Sequence, residues 1–122
     1  MPVVNREIVL PVPRERAWEL ITEPAELEQW LADEVEFAPE EDARVRVAWE
    51  SGEERAGVVE EVAERERIVF RWGDSRVEWA LDDHPDGTRF TVTEHRHFAV
   101  TGWDAALPRL SSVAHATMLC PA

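Results

Sequence analysis

Cysteine is almost absent from this 122-residue chain: Cys120 stands alone, so no internal disulfide can form and no cysteine metal cluster can be built. Lysine is missing too, for all 13 basic residues are Arg, and the 26 acidic residues that face them leave a net charge of -13. A surface this acidic repels phosphate backbones and headgroups, which counts against nucleic acid and anionic membranes as partners. No apolar run approaches the ~18 residues of a membrane-spanning helix. The N-terminal MPVVNREIVLPV has no basic start followed by an apolar stretch, so a soluble, cytoplasmic protein is expected. Gly-rich phosphate loops, nucleophile elbows and zinc-protease helices are also lacking, and no cofactor or metal is expected. What is present, 44% hydrophobic and 32% charged residues, is the composition of a folded chain. Its length suits one domain over residues 1–122.

The longest helical period closes the chain. In Thr101 to Cys120 the apolar residues Trp103, Leu107, Leu110, Ala114 and Met118 fall on one side of a helix. Pro108 lies inside it and removes one backbone hydrogen bond, which predicts a kink or a start near Asp104 or Ala105. At the other end, Val4 to Val12 reads as an edge or first strand closed by Pro11 and Pro13. Pro13 suits the first position of a helix carrying Ala17, Trp18, Leu20 and Ile21. A second short helix opens at Pro24, capped by Thr22 or Glu23, with Leu27, Trp30 and Leu31 on its apolar face.

From Glu34 the period becomes two. Val35 and Phe37, then Val45, Val47 and Trp49, then Ile68, Phe70 and Trp72 alternate with charged residues. Gly57, inside the strand from Glu54 to Ala63, marks a bulge or a close approach. A two-residue Gly73–Asp74 loop pairs Phe70 with Val77 and Ile68 with Trp79. The same arithmetic across Asp83 to Asp86 pairs Trp79 with Phe90 and Val77 with Val92, and brings Glu78 near Arg89. One apolar face results, and the closing helix is expected to cover it.

The order of elements and several residues carry a resemblance: Pro13 and Trp18, Thr22 with Pro24 and Trp30, RVRVAW ending at Trp49, and FRWG from Phe70 to Gly73. Further along come Gly87 with Thr88, Thr93 with Glu94, and Gly102 with Trp103. Together they span nearly the whole chain. The sequence resembles the START-like (SRPBCC, helix-grip) superfamily, in the branch related to the activator of the ninety-kilodalton heat-shock protein ATPase. It departs from similar proteins at Asp42 and Ala43, where a glycine pair is usual. The resemblance implies an α+β helix-grip fold: a curved antiparallel sheet, two short helices, and a long C-terminal helix across its concave face. It also implies a cavity between sheet and helix.

Within that fold, Trp30, Trp49, Phe70, Trp72, Trp79, Phe90, Trp103, Leu107 and Leu110 stand either as cavity walls or as core that plugs the cavity. Glu94 follows Phe90 and Val92 at period two and should point into the same apolar side. There it pairs with an arginine, Arg96 being the near one, or serves as a polar anchor or acid; no other catalytic candidate stands out. His95 and His97 share a strand face without a third ligand, and Asp82 to Gly87 lacks the acid that closes a calcium loop and reads as a turn. The expected function is a non-enzymatic binding module for a small apolar or aromatic ligand, as monomer or homodimer. A cyclase- or dehydratase-type enzyme using the same cavity and a chaperone-associated interaction protein are the alternatives, the last requiring an exposed apolar patch of several hundred Å².

Overall fold

A computed structural model of the chain describes residues 3–95 and 103–119. The elements run β1 (Val3–Leu10), α1 (Arg14–Thr22), α2 (Pro24–Trp30), β2 (Glu34–Glu36), β3 (Arg44–Ala48), β4 (Glu54–Ala63), β5 (Arg67–Trp72), β6 (Ser75–His84), β7 (Gly87–His95) and α3 (Trp103–Leu119). The strands form one curled antiparallel sheet in the order β1-β7-β6-β5-β4-β3-β2, so β1 is an edge, as Pro11 and Pro13 implied. This is the α+β helix-grip architecture. Among the described residues no helix is long and apolar enough to cross a membrane.

The inner face follows the period of two. Ile68 pairs with Trp79 and Phe70 with Val77 across the Gly73–Asp74 loop, where Gly73 takes the positive φ of 56° that a tight hairpin needs. The next hairpin departs from the expected register. Its loop is only Pro85–Asp86, so Leu81 opposes Phe90, Trp79 opposes Val92, and Val77 opposes Glu94. Glu78 consequently faces Thr93, and Asp82 faces Arg89. Pro85 has no N–H to give a ladder and falls naturally into the loop, while the His84 ring Nδ1 accepts from the Asp86 N–H at 3.0 Å. A slip of two residues leaves every side chain on its expected face, because the strand period is two.

β4 holds the sheet's irregularity, at Glu60 and not at Gly57. Val59 opposes Phe70 and Val62 opposes Ile68, so the extra residue lets two positions of opposite parity both face inward. Gly57 marks a close approach instead: a Cβ there would collide with the Arg71 carbonyl of β5. Glu60, displaced outward, takes Arg71 at 2.5 Å and Arg76 at 3.1 Å, and the Arg71 hydrogen bond holds its carboxyl below the ordinary range.

The helices also depart in detail. Pro13 precedes α1 as its N-cap, and its carbonyl accepts from Ala17 N–H at 2.9 Å. Thr22 does not cap α2; its hydroxyl donates to the Trp18 carbonyl at 2.7 Å, and Glu23 holds the cap position without a side-chain bond. α3 begins at Trp103 and runs through Pro108. Pro108 has no N–H to give the carbonyl of residue 104, which is the one intrahelical bond it removes. The α3 backbone lies close to β1, α1 and α2. It reaches the β5 side of the sheet through the side chain of Trp103, and that asymmetry leaves a gap under the first turns of the helix.

Candidate functional site

The gap is a cavity of about 420 Å³. Trp103, Ala106 and Arg109 of α3 form one wall, Leu31 and Asp33 after α2 another, and Trp49, Glu50, Ser51 and Glu53 the rim. Arg55 of β4, Trp72 of β5 and Glu94 of β7 complete it from the sheet. The rim is pinned by backbone bonds: the Asp33 carboxylate accepts Glu50 N–H at 2.7 Å, and Trp49 Nε1 donates to the Leu31 carbonyl at 3.0 Å. Trp49 is thereby held at the end of β3, half-buried, with its ring toward the opening.

Glu94 is the chemical centre. It is fully buried, and its carboxylate is gripped by two indoles: Trp103 Nε1 donates to Oε1 at 2.8 Å and Trp72 Nε1 to Oε2 at 3.2 Å. The two rings stack on each other, with centroids 5.7 Å apart and planes 16° from parallel, so both N–H groups aim at one acceptor. A buried carboxylate needs such donors, since desolvation without them is costly. Arg55 adds a cation, its guanidinium 3.8 Å from Oε2 and above the rings of Trp49 and Trp72, at 5.6 and 5.2 Å from their centroids. The same guanidinium reaches outward to Glu53 at 3.4 Å.

Of the residues expected to form the site, Trp49, Trp72, Trp103 and Glu94 meet at the cavity. Trp30, Phe70, Trp79, Phe90, Leu107 and Leu110 are core and do not line it. Trp79 is the hub of that core, with Phe70 at 4.8 Å and Trp30 and Phe90 each at 5.7 Å between centroids. The rings fill the middle of the sheet, and the cavity lies beside them, toward the β3–β4 turn. Glu94 takes indoles and Arg55 as partners; Arg96 and His97 lie outside the described residues, as does Cys120. The sequence reading missed Arg55, Arg109 and the rim acids. Arg55 was within reach of it, since strand parity places it on one face with Gly57 and Val59, but a charged residue two before a glycine gives no apolar signal. Arg109 and the rim converge through loops and helix ends, which periodicity does not see.

Comparison with known proteins agrees with the fold. The family model described as Activator of Hsp90 ATPase homolog 1-like protein matches residues 11–115. The crystal structure of protein MLL2253 from Mesorhizobium loti superposes with a TM-score of 0.88 at 21% identity, over 95% of this chain and 98% of that one. The AHSA1-like protein from Aeromonas hydrophila gives 0.84 at 17% identity, over 98% and 96%. DynU16, from the dynemicin biosynthetic locus, gives 0.82 at 24% identity, over 93% of this chain and 47% of that one. No curated protein matches in sequence. With a family match across most of its length and this fold, the chain belongs to the Activator of Hsp90 ATPase homolog 1-like family, a branch of the START-like superfamily.

Proposed function

We propose that this protein binds a small apolar or aromatic molecule, without transforming it, in the cavity beneath the first turns of α3. The carrying observation is a space of about 420 Å³ walled by three indoles, with a fully buried carboxylate on its floor. That volume lies within the few hundred to ~1,000 Å³ of small-molecule sites, and a few fixed polar groups among aromatic walls are their usual chemistry. Trp49, Trp72 and Trp103 supply stacking surface and Glu94 the polar anchor. An enzymatic role draws less support, because both oxygens of Glu94 are engaged by indole donors, which makes it a fixed acceptor. A chaperone-docking role draws less as well: among the described residues the large exposed hydrophobics are Val3 and Val9 of β1.

Native mass spectrometry of protein purified from its own host tests the reading. A mass excess over the bare chain is expected, reduced in Trp49→Ala, and the same spectrum reports monomer or homodimer. Recovery of bare chain alone, with no response of tryptophan emission to small aromatic probes, would overturn it.

A further inference from the structure

The cavity already holds a cation, and that cation belongs to the chain. Arg55 is 19% exposed along its side chain, with its guanidinium above two indole faces and between a buried acid and an exposed one. An aromatic box with a carboxylate in its floor is the chemistry that recognises organic cations, because ring quadrupole and carboxylate both attract positive charge while the rings exclude water. The hold on Arg55 is loose. At 3.8 Å its contact with Glu94 is an ion pair longer than a hydrogen bond, and Glu53 at the rim offers another acid to which it can withdraw. Charge favours the same class of ligand: Asp33, Glu50, Glu53 and Glu94 outnumber Arg55 and Arg109 around the cavity, in a chain of net charge -13.

We propose that the cavity takes an organic cation, an amine or guanidine on an aromatic or apolar body, whose charged head displaces Arg55 from above Trp49 and Trp72 and pairs with Glu94. Arg55 is then the resident occupant of the site, lying over the two rings until the ligand arrives. This rests on the ligand-binding reading of the cavity and adds the charge of the ligand to it.

The test uses three soluble compounds of nearly the same shape, 2-phenylethylamine, 2-phenylethanol and phenylacetate, titrated into the full chain while the indole N–H resonances of its six tryptophans are followed by NMR. The amine should bind ~10-fold more tightly than the alcohol and phenylacetate most weakly, with Trp72 and Trp103 shifting most. Arg55→Ala, or Arg55→Gln should the first variant fold poorly, should bind the amine several-fold more tightly than the parent. Glu94→Gln should bring the amine down to the level of the alcohol. Equal binding of amine and alcohol overturns the cation inference and leaves the ligand cavity standing. Tightest binding of phenylacetate also overturns it, assigning the mouth to an anion held by Arg109 and Arg55. Failure of all three compounds in parent and Arg55 variants overturns the cavity reading and the cation with it.

Discussion

Trp103→Phe isolates the clamp on Glu94. The substitution keeps a ring to stack on Trp72 and removes the N–H that donates to Glu94 Oε1 at 2.8 Å. A hydrogen bond to a charged group contributes about 1.5–3 kcal/mol, and the smaller ring gives up about 1 kcal/mol of apolar burial. The expected loss is therefore about 2.5–4 kcal/mol, a large share of the 5–15 kcal/mol typical of a domain. Packing and clamp are separated by a double-mutant cycle with Glu94→Leu. That change alone leaves the Trp72 and Trp103 N–H groups buried without their acceptor, at about 1–3 kcal/mol each. In the double variant the penalty at position 103 no longer involves a hydrogen bond, so the two losses should fall short of additivity by about 1.5–3 kcal/mol. Urea unfolding followed by far-UV circular dichroism reads all four proteins without relying on the altered tryptophans. Additivity within about 0.5 kcal/mol would refute the clamp and leave Trp103 as packing only.

Two further outcomes follow from local geometry. Glu60, with its carboxyl depressed chiefly by the Arg71 hydrogen bond, contributes stability that is complete above the ordinary value of 4.5 and is lost as pH falls through the lower folded value. The stability gap between parent and Glu60→Gln should thus be widest near neutral pH and close under acid, in denaturant titrations at stepped pH; a gap that widens below 4.5 contradicts the assignment. Trp30→Phe should cost about 1 kcal/mol more than Trp79→Phe by thermal or urea unfolding, since a buried acceptor is orphaned only in the first. Trp30 Nε1 donates to the Leu20 carbonyl at 2.9 Å, whereas Trp79 Nε1 is buried without an acceptor among the described residues.

The strand faces were legible because burial of one side of a sheet imposes a period of two that the residues must obey. Ile68, Phe70, Trp72, Val77 and Trp79 announced both their face and the Gly73 hairpin. The second hairpin was legible only to within a slip of two, which the period leaves undetermined; loop length decided it, through Pro85 and Gly87. The bulge at Glu60 left no sequence mark, being a compromise between the faces of β4 and β5. For the site, parity pointed Glu94 inward, but which tryptophans were wall and which were core depended on where α3 crosses the sheet.

By itself, then, the sequence determined the elements, their order, the inward faces of β3, β5, β6 and β7 and the inward turn of Glu94, all consequences of short-range periodicity and turn chemistry. Tertiary structure alone decided that α3 leans toward β1, α1 and α2, so that the centre of the sheet is filled by Trp30, Phe70, Trp79 and Phe90 while a cavity opens under Trp103. It alone brought Arg55 and the rim acids to that cavity, because their meeting depends on distances between elements far apart in the chain, and no local pattern encodes those.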